Sequence, residues 1–264
     1  MMIGGLQKTT LIDFPGTIAC SLFTVGCNFR CPFCHNKDLV TLANFKKAKL
    51  QNYKEKDFFD FLQKRKKWLD GVCITGGEPT IYKELPEFIL KIKKLGYKVK
   101  LDTNGSNPEV LSFLYKNKLL DYVAMDIKSS FDNYEKAINY QFSSRQPADN
   151  FQTNIKTPQA ELINKIKKSI KLILQSKIDY DFRTTVVPTI HSKESLKQLA
   201  ENLRDIAQTV MYMPENISYF IQPFQPQNCL RKEFLKITPF SKKELKDMLK
   251  LVQAVLPKAS IRGE

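Results

Sequence analysis

The 264-residue chain carries 42 Lys and Arg against 27 Asp and Glu, a formal net charge of +15, and 42% of its residues are hydrophobic. That apolar content excludes a disordered chain, the length suits one large α/β domain or two small ones, and no run of about 18 apolar residues offers a membrane span. The N-terminus Met1-Met2-Ile3-Gly4-Gly5 has neither the charge nor the apolar core of a secretory leader, and the six cysteines show no disulfide-like pattern, so a cytosolic, reducing location is expected. Most lysines fall where helix surfaces are expected, as in Lys64-Arg65-Lys66-Lys67, Lys91-Ile92-Lys93-Lys94 and Lys165-Ile166-Lys167-Lys168. This places the charge on solvated faces and argues against nucleic acid as a partner.

Residues 1–17 read as a lead-in, with a turn at Pro15-Gly16 before the β-rich run Thr17 to Thr24, a first strand. A short loop with three cysteines follows it. Phe58, Phe61, Leu62 and Leu69 recur at helical spacing, and Gly71 precedes a second strand, Val72-Cys73-Ile74-Thr75, which ends in Gly76-Gly77-Glu78-Pro79. Leu85, Phe88, Ile89, Ile92 and Leu95 mark the next helix, stopped by Gly96. Tyr97 to Leu101 is a third strand, running into Asp102-Thr103-Asn104-Gly105. Asn107-Pro108-Glu109 predicts a helix start with a capping side chain, and that helix runs to about Lys116. Leu119 to Ile127 is a fourth strand ending in Met125-Asp126-Ile127-Lys128, and residues 140–158 form a loop-rich insertion. Leu162, Ile166, Ile170 and Leu174 define a helix, Tyr180 to Val187 a fifth strand containing Arg183, and Ser192 caps a helix through Ile206. Ile217 to Gln222 is a sixth strand, and Ser241-Lys242-Lys243-Glu244 is a capping box for a last helix through Leu256. Alternation of strand and helix implies parallel strands with right-handed crossovers in a single domain, 1–264, and leaves open a doubly wound sheet or part of a barrel.

Cys27, Cys31 and Cys34 stand three and then two residues apart in Gly26-Cys27-Asn28-Phe29-Arg30-Cys31-Pro32-Phe33-Cys34-His35-Asn36. Close thiols are soft ligands for zinc, copper(I) or iron–sulfur clusters, and a structural zinc site takes four protein ligands. No fourth cysteine is local, since Cys20, Cys73 and Cys229 lie in apolar, strand-like contexts. The set therefore reads as three ligands on a four-iron cluster with one iron open, against a zinc site completed by His35.

This CxxxCxxC spacing resembles the cluster loop of the radical S-adenosylmethionine (SAM) enzymes, in which SAM occupies the open iron. The resemblance implies a partial (β/α)6 TIM-like barrel with a wide mouth and a [4Fe-4S] cluster held by Cys27, Cys31 and Cys34. Phe33 and the backbone at Phe33, Cys34 and His35 would then meet the adenine of SAM. Gly76-Gly77-Glu78-Pro79 looks like the family's GGEP motif, which binds the amino end of SAM. Its glycines would let the ligand approach the backbone, so that a side chain at Gly77 weakens SAM binding and spares the iron. Asp102-Thr103-Asn104-Gly105 and Asp126-Ile127-Lys128 resemble stretches that hold SAM in glycyl-radical activating enzymes, sometimes through a small cation. That implies roles for Thr103, Asp126, Ile127 and Lys128, and for Asp102, where the bland reading is helix capping. Arg183 would serve the SAM carboxylate or a structural salt bridge. Gln225 stands where the pyruvate formate-lyase activating enzymes have a SAM-contacting histidine, and could bond the ribose. Asp13, before Phe14-Pro15-Gly16, resembles the aspartate that faces the substrate loop in such activases. His191 has no motif around it.

Ile12-Asp13-Phe14-Pro15-Gly16 and Cys34-His35-Asn36 resemble the anaerobic ribonucleoside-triphosphate reductase activating proteins, in a form similar to pyruvate formate-lyase activating enzyme. The resemblance implies reductive cleavage of SAM, hydrogen abstraction from a glycine of a partner enzyme, and an external low-potential electron donor such as flavodoxin or ferredoxin, since no second cysteine cluster is present. Two alternatives stay open: a small-molecule radical SAM enzyme of the deazaguanine synthase kind, and a non-catalytic iron–sulfur or zinc binding module.

Overall fold

In the computed structural model, residues 1–138 and 159–263 are described; the loop-rich insertion expected at 140–158 lies outside them. Among the described residues, eight strands form one sheet in sequence order. They are β1 (Ile3–Thr10), β2 (Ala19–Thr24), β3 (Gly71–Gly76), β4 (Lys98–Thr103), β5 (Tyr122–Asp126), β6 (Asp179–Val186), β7 (Tyr219–Pro223) and β8 (Ser260–Ile261). The described helices are α1 (Leu42–Lys47), α2 (Glu55–Arg65), α3 (Leu85–Lys94), α4 (Pro108–Lys116), α5 (Tyr134–Ile138), α6 (Gln159–Gln175), α7 (Lys193–Thr209) and α8 (Lys242–Gln253).

Strands β2 to β8 are parallel, and β2 to β7 are the six strands expected from the alternation. β1 was not expected as a strand. It pairs antiparallel with β2 and breaks register twice, and its Gly4-Gly5 and exposed Gln7, Lys8 and Thr9 carry no apolar alternation. The two residues of β8 are too short to show a period.

The sheet curves. Phe14, Ala19 of β2, and Tyr122 and Ala124 of β5 form one buried cluster across three strand spacings, and Arg262 after β8 reaches the Ile12 carbonyl before β2. This is the partial barrel. Its outer face carries Leu22, Ile74, Val99, Leu101, Val123, Phe182 and Ile221, all fully buried under the helices, and burial of each such side chain contributes about 1.5–3 kcal/mol. Beside that apolar cluster the inner face also carries polar and charged side chains. Register places Ser21, Cys73, Lys100 and Tyr122 in one row, and Asp102, Ala124 and Asp181 in the next. Period two along each strand separates these sets, so Lys98-Val99-Lys100-Leu101-Asp102 alternates between barrel and helix layer.

Helix starts follow local chemistry. Ser192 and Ser195 form a capping box for α7, and Ser241 and Glu244 form one for α8. Asn107 departs from expectation: its side chain makes no cap bond to α4, because its amide nitrogen donates to Thr80 Oγ1 at 2.9 Å instead.

Candidate functional site

The cysteine loop leaves the C-terminal end of β2, where strands of such barrels gather their loops. Its base is closed by Gly26 N and Cys27 N donating to the carbonyls of Leu39 and Val40 at 2.7 and 3.0 Å. The polar residues between and beside the cysteines tie it to several neighbouring elements. Asn28 donates to Ser106 Oγ (2.7 Å) and accepts from Asn104 Nδ2 (2.8 Å) after β4, and Asn36 donates to the Gly76 carbonyl (2.9 Å) of β3. Arg30 N donates to the Ile138 carbonyl of α5 (3.1 Å). From the β7 side, Asn228 donates to the His35 carbonyl (2.9 Å) and Arg231 N to the Pro32 carbonyl (3.0 Å). The His35 ring is engaged there too, with Nε2 at 2.8 Å from the Gln225 carbonyl and the ring stacked on Phe224. That is not the posture of the fourth ligand a zinc site would need. Gln225 is exposed and contributes this backbone contact. Phe33 is buried in the core with Phe29 and Cys31, shielding the apolar side of the loop.

All three thiols are free, Cys31 buried and Cys27 and Cys34 half-buried. The Phe29 amide points at Cys27 Sγ at 3.4 Å. Burial pushes all three thiols up, Cys31 to about 12, while the positive charge of Lys128 favours the thiolates of Cys31 and Cys34. Thiolates are the donors that an iron–sulfur cluster takes, so the chemistry of the donor set and the cation beside it fit such a group, although among the described residues no three Cys, His, Asp or Glu are drawn together as they would be around a metal ion.

The two glycines at the end of β3 have a packing role that the sequence did not disclose. Gly76 has φ +108°, and a Cβ there would sit 2.5 Å from the Thr24 amide nitrogen; one on Gly77 would sit 2.0 Å from the Gly26 carbonyl oxygen. Gly77 N and Glu78 N donate to the Thr24 and Gly26 carbonyls, both at 2.8 Å. The glycines therefore let the β3 end lie against the root of the cysteine loop, and the space beside Gly77 belongs to Gly26. Glu78 is 1% exposed. Its carboxylate accepts from Thr80 N (3.1 Å), Thr80 Oγ1 (2.5 Å), Thr103 Oγ1 (2.8 Å) and Asn104 N (2.7 Å). Burial pushes this carboxyl up, and the four donors oppose that shift. Glu78 thus clamps the ends of β3 and β4 together.

Beneath the loop runs a line of alternating charge. Lys100 pairs with Asp102 Oδ1. Arg183 Nη2 lies 3.6 Å from Asp102 Oδ2, and its Nε donates to Asp126 Oδ1 at 2.9 Å. Lys128 Nζ donates to Asp126 Oδ2 at 2.9 Å. Burial disfavours the Asp126 anion, yet Arg183 and Lys128 outweigh it and hold the carboxyl well below the usual carboxylate range. The structural salt bridge foreseen for Arg183 is present, and it joins two of the sequence-derived positions. The main chain after β5 is held by Ile127 N donating to the Arg183 carbonyl (2.8 Å) and Thr184 Oγ1 donating to the Ile127 carbonyl (2.7 Å).

Asp13 lies elsewhere, before the N-terminal end of β2, accepting from Ser21 Oγ at 2.5 Å. Sequence reasoning missed Asn28, Asn104, Lys100 and His191. Lys100 was open to detection, because period two puts it on the face of Asp102.

The radical SAM superfamily profile matches residues 21–206 of this chain. MJ1227 of Methanocaldococcus jannaschii, provisionally named a glycyl-radical enzyme activating enzyme, is 31% identical over 99% of this chain and 95% of its own. The pyruvate formate-lyase-activating enzyme of Clostridium pasteurianum is 27% identical over 77% of this chain and 76% of its own. Among solved structures, Streptococcus suis SuiB bound to its precursor peptide SuiA superposes with a TM-score of 0.61 at 14% identity over 92% of this chain, which spans 48% of that structure's chain. The anSMEcpe structure with bound AdoMet superposes with a TM-score of 0.52 at 14% identity over 90% of this chain and 61% of its own. At such identities these two show the fold, while the profile and the nearly full-length sequence match show descent: the chain belongs to the radical SAM superfamily of enzymes, whose members use a [4Fe-4S] cluster and SAM, and its homologues include the glycyl-radical enzyme activating enzymes.

Proposed function

We propose that Cys27, Cys31 and Cys34 hold a [4Fe-4S] cluster with one iron left to SAM, and that the protein makes a glycyl radical on a partner, an anaerobic ribonucleoside-triphosphate reductase. The observation that carries the SAM reading is the line of alternating charge beside the thiols. The amino-acid end of SAM is a zwitterion, and Asp126 with Lys128 and Arg183 offers each of its ends an opposite charge. In this reading Thr103, Asp126, Ile127, Lys128 and Arg183 receive that end, the Phe33-Cys34-His35 backbone and Gln225 meet the adenosine, and Gly76, Gly77 and Glu78 shape the wall between them. When bound, the cluster supplies the electron that splits the SAM sulfonium into methionine and a 5′-deoxyadenosyl radical. The chain's own residues position SAM and keep water out.

The names of MJ1227 and of the Clostridium enzyme favour a glycine of another protein as the target. The lead-in Ile12-Asp13-Phe14-Pro15-Gly16 and the Cys34-His35-Asn36 ending favour a reductase as that protein, with Asp13 as its contact. Electrons would come from a flavodoxin or ferredoxin. The test is an anaerobic mixture of reduced protein, SAM and the host's reductase, read by electron paramagnetic resonance. A glycyl doublet on the reductase is expected. SAM cleavage without a radical on any glycyl-radical enzyme of the host, together with turnover of a small metabolite, would overturn the reading.

A further inference from the structure

His191 sits in the turn between β6 and α7, 3% exposed. Its Nδ1 accepts from Val187 N at 3.0 Å, and its Nε2 lies 2.9 Å from the Lys128 carbonyl. The Val187 amide can only donate, so Nδ1 carries no proton and Nε2–H donates to Lys128. The turn around it is tight, with Ile190 N and His191 N both donating to the Val187 carbonyl at 3.0 and 2.8 Å.

The location explains the need. β6 supplies main-chain and side-chain partners to β5 as far as Ile127, through the Arg183 carbonyl and Thr184 Oγ1. One residue later β5 has ended while β6 runs on to Val186 beside β7, and the imidazole from the turn after β6 supplies the donor for the Lys128 carbonyl. The residue so held is Lys128, whose ammonium binds Asp126 and whose charge reaches Cys31 and Cys34.

We propose that His191 is a positioning residue for the SAM site: its neutral imidazole, fixed as the Nε2–H tautomer by Val187, pins the Lys128 carbonyl and so aims the Lys128 ammonium between Asp126 and the cysteine loop. The inference rests on the reading that Lys128 addresses SAM.

Two substitutions separate the two ends of the ring. In His191→Gln the amide nitrogen takes the place of Nε2 and keeps the donation to Lys128, losing the acceptor for Val187. In His191→Asn the amide oxygen takes the place of Nδ1 and keeps the Val187 bond, losing Lys128. Each loses one buried hydrogen bond, so both should melt below the parent by similar amounts. SAM affinity, measured by anaerobic equilibrium dialysis on reconstituted protein, should fall about tenfold in His191→Asn and stay within about twofold of the parent in His191→Gln. A merely structural histidine predicts that affinity follows melting temperature and is alike in the two. Equal affinities in the two variants, or a weaker Gln than Asn variant, overturn the inference. Should the Asn variant not fold, the Gln variant decides, since a loss beyond about fivefold there is incompatible with it. Lys128→Ala is run beside them: unchanged SAM affinity in that variant overturns the reading of Lys128, and the inference with it. A weakened Lys128→Ala with identical His191 variants overturns the inference alone.

Discussion

Gly77→Ala is expected to cost the protein its iron as well as its SAM. The new Cβ would lie 2.0 Å from the Gly26 carbonyl oxygen and 2.7 Å from its carbon, both main-chain atoms at the root of the cysteine loop. Relief requires the two segments to part by roughly 1 Å or more, and a tightly packed interior resists such shifts at about 1–3 kcal/mol. Parting also breaks the bonds from Gly77 N to Thr24 O and from Glu78 N to Gly26 O, and each buried amide left unsatisfied costs about 1–3 kcal/mol. Together these reach about 3–9 kcal/mol against the loop's closed geometry, a large share of the stability of a whole domain. The assay is anaerobic reconstitution followed by iron content, the visible spectrum and thermal unfolding. Gly16→Ala is the control: nothing lies within 4 Å of its Cβ and only its φ of +66° is unfavourable, so a cost of about 1–2 kcal/mol and full iron are expected. A Gly77→Ala protein with parental iron and melting temperature, impaired only in SAM affinity, would refute the packing argument.

Replacing any one of Cys27, Cys31 and Cys34 by Ala should abolish the visible spectrum of the reconstituted protein, whereas Cys20→Ala and Cys229→Ser should retain it, iron analysis deciding. Asp126→Asn leaves buried Arg183 and half-buried Lys128 short of a counter-charge; because Asp126 is itself 32% exposed, the loss lies below the about 3–5 kcal/mol of a fully buried pair, read as a lowered denaturation midpoint, and a midpoint equal to the parent's would sink the claim. Burial holds His191 down at about 4, with Lys136 also disfavouring its cation. Its folded value lies below the unfolded one, so the unfolded chain takes up the proton first. Stability is complete above about pH 6.5 and falls by about 1.4 kcal/mol per pH unit down to pH 4. The urea midpoint of the parent should therefore drop between pH 7 and pH 5 more steeply than that of His191→Gln; parallel profiles would contradict this.

The cysteine spacing, the six parallel strands and the stretches at their C-terminal ends were legible in the chain, because each is written locally: an apolar run, a turn of glycines, three thiols within eight residues. The same legibility reached Arg183, for a charge within an apolar strand declares that it has a partner, while Asp126 came from the resemblance of its stretch to those of the activating enzymes. Local pattern does not name the partner. That Arg183 bridges Asp102 and Asp126, that Asn28 reaches Asn104 after β4, and that His191 answers a carbonyl 63 residues away follow from closing the sheet into a curve, which brings strand ends from distant positions to one mouth. β1 escaped detection because it lies at the antiparallel edge, where antiparallel pairing satisfies its backbone and few apolar side chains are asked for. Gly77 shows the boundary between the two kinds of knowledge. A glycine pair after a strand can be read from the sequence, but whether its empty Cβ position faces a ligand or another backbone depends on which segment packs there, and in this protein that segment is the root of the cysteine loop.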